Sequence, residues 1–252
     1  MIKIIRTSPP HQFDSEKVKR LTQEYINTKR NVWNLEYIKS ALLDMSNSKC
    51  IFCECKLGEE SKYIEVEHFH PKSLYPEEVL SWTNLLPICK RCNGLKRDHD
   101  TKINPIINPT VDEPKDHLFI KDYRYRGLND IGKRTIKVLQ LNDSDRLVLP
   151  RFKIGDAIAA AIESLVKVKD KINMDTKIED ENELIGKLRN LLFSCQPDSE
   201  YSTICSYALL TDDNYFEVKD YLVHQGLWDL ELERLETISL QHSLIRDKIN
   251  LA

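Results

Sequence analysis

Residues 64–72 read Ile-Glu-Val-Glu-His-Phe-His-Pro-Lys and gather carboxylate, two imidazoles and a lysine around Phe69. The chain from Cys50 to about Asp100 reads as irregular and cysteine-bearing. Adjacent side chains on a flat strand point to opposite faces, so Glu67 and His68 cannot meet at one site if the strand continues. The strand must therefore twist or end there, and Pro71 just beyond favours the break. His70 shares a face with His68 and competes with it for any acid–base role.

A cysteine pair stands on either side of this stretch, Cys50-x-x-Cys53 before it and Cys89-x-x-Cys92 after it. Seven cysteines, an odd number, fit metal ligation plus buried thiols better than a disulfide framework. Four thiolates from two such pairs suit a closed tetrahedral Zn²⁺ site, which leaves no position open for water and so serves structure, not chemistry. Cys55 can substitute for one member of the first pair. Cys195 and Cys205 lie in apolar helical surroundings and read as core. A zinc ion would pin a small module whose own apolar core is too thin to hold it.

Between and just beyond the pairs stand Glu67-His68, then Trp82-x-Asn84-Leu85, then Asn93, Lys96 and Arg97. The order Glu-His … Asn … Cys-x-x-Cys-Asn-x-x-Lys resembles the HNH endonucleases, whose fold is a ββα-metal finger. The segments EHFHPKS, WTNLLPICKRCNGLK, INPTVDEPKDHL and TIKVLQLN are similar to the PtuB-like HNH nucleases of Septu-type and retron-linked anti-phage defence. The motif spans about Cys50 to Arg97, and fainter similarity runs on to about Arg151.

The resemblance implies roles. Glu67 and Asn93 hold a catalytic Mg²⁺ or Mn²⁺, His68 is the general base, and Asn84 orients it. Glu67 stands where aspartate is more usual and Asn93 where histidine often stands, which leaves the choice between Mg²⁺ and Mn²⁺ open. Such chemistry makes sense of the residue types. A neutral imidazole takes a proton from water near pH 7, and hard oxygen donors suit a hard cation. If a helix opens at Asn93, then positions 93, 96, 97 and 100 share a face, and Lys96 and Arg97 project beside Asn93 to hold phosphates. Lys72 is a further, weaker nucleic-acid contact. Trp82 and Leu85 read as packing.

The rest of the chain is helical in pattern. Apolar spacing predicts helices over Phe13–Thr28, with Asp14 or Ser15 as N-cap, and Asn34–Met45. Further candidates are Ile131–Leu141, Arg151–Ile172, Glu181–Phe193, Tyr201–Leu210, Tyr215–His224 and Leu227–Ile249. The expected fold class is α+β and predominantly helical. Its parts are an N-terminal helical arm (1–48), a zinc-stabilised HNH module (49–104), a Pro/Asn-rich connector (105–130) and a C-terminal helical domain (131–252). Tyr215, Phe216 and Trp228 are either core or a docking face for a partner.

Composition sets outer bounds. With 37 Lys+Arg against 40 Asp+Glu the net charge is −3, so any nucleic-acid surface must be local. No apolar run reaches a membrane span, and the start MIKIIRTSPPHQF has no signal-peptide core, so the expectation is a cytoplasmic protein without membrane contact. No Walker-type glycine loop occurs, so ATP gating would require another chain. The resemblance implies a PtuA-like ATPase subunit, and for retron-linked members a reverse transcriptase–ncDNA complex. The substrate expected is DNA, with RNA such as tRNA open. The competing reading is a non-catalytic zinc module that binds nucleic acid or protein, which leaves Glu67 and His68 without a purpose.

Overall fold

Asp14 opens the first helix, α1 (Ser15–Thr28), by accepting a hydrogen bond from the Lys17 amide at 2.8 Å. Its carboxylate thus satisfies one of the free N–H groups of the first turn. The chain leaves α1 through Lys29 in the left-handed region, at φ 59°. Helix α2 (Glu36–Met45) follows and buries Ile38, Leu42 and Met45, the apolar face read from spacing. These details come from a computed structural model, which describes residues 1–59, 63–173 and 177–246.

Two units emerge. The first comprises Met1–Leu118 and Arg126–Leu141; the second comprises Phe119–Tyr125 and the chain from Asn142 onward. In the first, β1 (Ile64–His68) pairs antiparallel with β2 (Leu85–Cys89), and α3 (Lys90–Lys96) runs directly out of β2. The register sets Ile64 opposite Cys89 and His68 opposite Leu85. One end of this small sheet therefore meets the cysteines, and the other carries the residues singled out above. Short 3-10 turns at Pro76–Glu78 and Trp82–Asn84 fold the connection back. Helix α4 (Asp130–Val138) completes the unit, capped by Asn129.

The connector is less plain than its prolines suggest. It ends in a hairpin, β3 (Leu118–Lys121) and β4 (Arg124–Gly127), that sequence reading did not find. Its two-residue turn places Asp122 and Tyr123 at φ 52° and 57°. Positive φ at both positions is the tight hairpin geometry whose usual signal is Asn-Gly. Gly155 makes room for this turn, since a Cβ there would overlap the Tyr123 ring.

The second unit is helical: α5 (Leu149–Lys171), α6 (Lys177–Ser194), α7 (Ser202–Leu210), α8 (Asp213–His224) and α9 (Leu230–His242). Ile158, Ile162 and Leu165 of α5 meet Leu184, Leu188 and Leu192 of α6, together with Leu209, Val218, Leu222 and Leu232. Burying each such side chain contributes about 1.5–3 kcal/mol before entropy is charged against it. Tyr215 is fully buried, with its hydroxyl donating to Glu236 at 2.6 Å, while Phe216 and Trp228 pack against the same core. The core reading of these aromatics is the one the packing supports. The helix expected over Leu227–Ile249 is α9, Leu230–His242, and residues 247–249 lie outside the described ones. The chain is thus a helix-rich α+β protein with two small sheets among its described residues, and no described helix is long and apolar enough to cross a membrane.

Candidate functional site

The cysteines converge. The sulfurs of Cys50, Cys53, Cys55 and Cys89 lie within 4.8 Å of one another, with Cys53 and Cys89 at 3.7 Å. A tetrahedral zinc with bonds of about 2.3 Å would space its sulfurs by about 3.8 Å. Cys92 is buried beside them, and its amide donates to the Cys89 sulfur at 3.5 Å. Hydrogen bonds from Cys50 and its neighbours hold the Cys53 and Cys89 thiols well below their usual range. The same contacts push Cys55 and Cys92 well above it. Sulfurs packed this closely cannot all ionise alone, and a divalent cation replaces their protons naturally. The donor set fits zinc, with five sulfurs offered for four positions.

The first knuckle owes its shape to Glu54 in the left-handed region at φ 64°, with its amide bonded to the Cys50 carbonyl at 2.9 Å. The Ile51 amide donates to the Pro87 carbonyl at 3.1 Å, tying the knuckle to β2. Cys89 then acts as the N-cap of α3, so this helix opens at Lys90 and not at Asn93. Asn93 and Lys96 still share a face one turn apart. That face stops there. Arg97 turns out of the helix at φ 46° and its Nε donates to the Gly94 carbonyl at 3.0 Å. Asp100 lies beyond the helix and accepts from the Tyr75 hydroxyl at 3.0 Å. The expected row 93, 96, 97 and 100 therefore breaks after its second member.

Strand β1 does end at His68, and its last two residues are covered on both faces. Glu67 turns toward α3, where its Oε1 accepts from Lys96 Nζ at 2.6 Å. Lys96 also donates to the His68 carbonyl at 3.0 Å and is only 1% exposed, so it holds the end of β1 from within. Burial pushes the Glu67 carboxyl up, against the opposing pull of Lys96 and Lys72.

His68 turns the other way. It is 3% exposed, its ring meets Trp33 edge-on at 4.8 Å, and its Nε2 lies 2.9 Å from the Val79 carbonyl. A carbonyl only accepts, so Nε2 carries the proton and Nδ1 carries the lone pair. Burial, with Lys72 adding to it, lowers the His68 pKa to about 3, so the ring is neutral near pH 7.

Asn84 makes no hydrogen bond to the His68 ring. Its Oδ1 accepts from the His70 amide at 2.7 Å, and its Nδ2 donates to the carbonyls of His70 at 3.0 Å and Glu78 at 3.3 Å. It braces the turn after β1 against the segment that supplies the Val79 carbonyl. Arg6 holds Asn84's own turn, donating to the carbonyls of Trp82 at 2.7 Å, Leu85 at 2.8 Å and Thr83 at 3.2 Å. Trp82 and Leu85 are buried, as packing residues should be. His70 is half-buried and donates from Nδ1 to the Thr101 hydroxyl at 2.7 Å, which passes its own proton to the Phe69 carbonyl at 2.8 Å.

A family model described as HNH endonuclease matches residues 50–99, the segment holding the cysteines, β1, β2 and α3. The Septu protein PtuB of Bacillus thuringiensis is 41% identical over 252 residues, covering 99% of this chain and 98% of its own. The chain belongs to the PtuB family. A second Septu protein PtuB, from Bacillus mycoides strain KBAB4, is 25% identical over 233 residues, covering 74% of this chain and 77% of its own. With its HNH endonuclease domain, this PtuB-family chain is a nuclease. Within 50–99 the two strands β1 and β2 are followed directly by α3.

Glu67, His68, Asn84, Asn93, Lys96 and the cysteines all fall in one local motif, whereas Arg6, Trp33 and Thr101 approach from outside it, where no local signal marks them.

Proposed function

We propose that this chain is a metal-dependent nuclease that hydrolyses phosphodiester bonds, with His68 as general base and a divalent cation held by Glu67 and Asn93. The observation that carries the reading is the His68–Val79 hydrogen bond. It fixes the imidazole in one tautomer, with the Nδ1 lone pair available to take a proton from water. A neutral, oriented base of this kind has no use in a module that only binds.

Glu67 and Asn93 offer a carboxylate and an amide oxygen, hard donors that fit Mg²⁺ or Mn²⁺. A cation bound there would neutralise charge on the phosphate and ease departure of the 3′-oxygen. The chain's own residues do the remainder. His68 takes the proton, Asn84 braces the loop beside it, and Lys72 supplies a cation for a phosphate. Lys96 acts from inside by pairing with Glu67, and Arg97 is an exposed phosphate contact.

Four of the five clustered cysteines would hold a structural Zn²⁺, so the module at 49–104 is zinc-stabilised. In sequence it would stand between the N-terminal arm (1–48) and the helical region (131–252), with 105–130 as connector, α4 at the start of that region belonging to the first unit. The Septu name of its relatives supports a role in anti-phage defence alongside a PtuA-like ATPase, and a retron reverse transcriptase–ncDNA complex would be a further partner. DNA is the favoured substrate over RNA, in the cytoplasm. The test is to incubate the protein, with and without a co-expressed ATPase neighbour, with plasmid, single-stranded DNA and total RNA in Mg²⁺. Cleavage that His68→Ala abolishes supports the reading; cleavage that survives loss of both His68 and His70 overturns it.

A further inference from the structure

Beside the proposed base lies an aromatic ladder built by the N-terminal helices. Trp33, in the link between α1 and α2, meets the His68 ring edge-on at 4.8 Å. Tyr25 of α1 meets Trp33 in turn at 5.5 Å. Each of these two rings carries an ammonium group: Lys72 Nζ sits 4.8 Å over Trp33, and Lys29 Nζ sits 5.2 Å over Tyr25. The Tyr25 hydroxyl donates to the Lys72 carbonyl at 3.3 Å, locking the two halves together. Asp98, whose charge reaches the Tyr25 hydroxyl, is held by the Ser73 hydroxyl at 2.7 Å.

We infer that Trp33 is a positioning residue of the nuclease site, and that Lys29 and Lys72 form a two-cation phosphate track leading to His68. The inference rests on the nuclease reading and adds to it a substrate-binding wall drawn from the helical arm. Its physical basis is twofold. An ammonium over an aromatic face keeps its charge while losing the freedom of a lone lysine, so less ordering remains when a phosphate arrives. The ring that seats Lys72 is also the ring that packs against His68, so one side chain sets the distance between a phosphate-binding cation and the base. Precise placement of that kind is where much of an enzyme's rate enhancement arises.

The ladder grips backbone and not bases. Tyr25 is buried and Lys72 covers a face of Trp33, so neither ring serves as a platform for base stacking. The track therefore accepts any sequence and favours whichever nucleic acid places two neighbouring phosphates on it.

The test is the salt dependence of binding, read by fluorescence anisotropy of short fluorescein-labelled DNA and RNA in buffer without added Mg²⁺. Each phosphate contact contributes about 0.7 to the slope of log K against log salt for a single strand and about 0.9 for a duplex. Lys29→Gln and Lys72→Gln should each lower the slope by that amount. Lys19→Gln, on an exposed α1 side chain outside the ladder, should leave it unchanged. Trp33→Ala should lower the slope as Lys72→Gln does and reduce kcat at least ten-fold, and Trp33→Phe should restore most of both. If Trp33→Ala does not fold, the two lysine variants and Trp33→Phe still decide. A slope for Lys29→Gln equal to that for Lys19→Gln overturns the track. Full kcat in a folded Trp33→Ala protein overturns the positioning role. A wild-type chain that binds with the expected slope yet never cuts defeats the nuclease reading instead.

Discussion

Lys96 Nζ lies 2.6 Å from Glu67 Oε1, with both side chains shielded from solvent. The pair joins α3 to the end of β1, and the second bond from Lys96 to the His68 carbonyl fixes where the strand stops. Glu67 is thus held toward α3 while its neighbour His68 turns the other way onto the Val79 carbonyl, as a strand regular to its last residue sends them, and the buried cation holds the strand's end.

Removing that cation should be costly. Lys96→Met leaves the Glu67 carboxylate buried without a partner, and loss of one member of a buried pair typically costs about 3–5 kcal/mol. Urea unfolding at pH 7 should show a loss of this order. Pairing the change with Glu67→Gln should recover much of it, since the stranded charge is then gone. An equal loss in the double variant would mean the ion pair is not what stabilises this joint.

His68 sets a pH dependence whose sign follows from its low pKa. Its folded value is lowered to about 3, while in the unfolded chain it titrates near the ordinary value of about 6.5. Between these the unfolded state binds more protons, so stability is full above about pH 6.5 and falls as pH drops toward 3. His68→Phe should flatten this part of the stability curve. In kinetics, the acid limb of kcat/KM reports the free enzyme and should lie well below pH 6. A bound phosphate favours the protonated ring, so the limb of kcat should lie higher. Coincident limbs at an ordinary histidine pKa would show that a different group titrates.

Much of this site was legible because it is local. The two cysteine pairs, the Glu67-His68 step and Asn84 fall within one motif, and the break at Pro71 follows from backbone sterics. The start of α3 was missed because cysteine is not an expected N-cap, yet the Cys89 sulfur accepts the Cys92 amide just as a Ser or Asp oxygen would. Helical spacing gives the face of Lys96 but not what covers it, which is the Glu67 carboxylate and the end of β1. The β3–β4 hairpin escaped because an Asp-Tyr turn lacks the glycine that marks such turns, and its room is supplied by Gly155, far along the chain.

That glycine yields a prediction in the helical unit. Gly155→Ala puts a methyl group into the Tyr123 ring, which also touches Phe152 at 5.6 Å and Tyr207 at 5.9 Å edge-on. Overpacking of this kind costs about 1–3 kcal/mol. Tyr123→Ala in the same background should relieve the clash and return part of the loss. Unchanged melting of Gly155→Ala would show that the hairpin yields freely.

Asn84 makes three bonds to backbone groups across two turns. Asn84→Ala strands the His70 amide and two carbonyls, at about 1–3 kcal/mol for each group left buried and unpaired. Asn84→Asp keeps the acceptor for the His70 amide but sets a carboxylate against two carbonyl oxygens. It should therefore be no better than alanine, both in urea unfolding and in kcat. An aspartate variant with native stability would mean that the amide's two donated bonds carry little.

The cysteine cluster offers the sharpest discrimination. Metal analysis should find about one zinc per chain, and a chelator should lower the melting temperature, because the metal's binding energy contributes to folding. Five sulfurs compete for four positions, and those of Cys50, Cys53, Cys55 and Cys89 lie within 4.8 Å of one another. If that group is the ligand set, Cys55→Ser should weaken zinc retention by well over ten-fold in a chelator competition. Cys92→Ser should then change it far less, since that residue's amide, which the substitution keeps, already serves the Cys89 sulfur. The reverse ranking would assign the fourth position to the second cysteine pair and leave Cys55 as a neighbouring thiol. Equal and small effects from both would mean that either sulfur can replace the other, which a Cys55→Ser/Cys92→Ser double variant would reveal by losing the metal altogether.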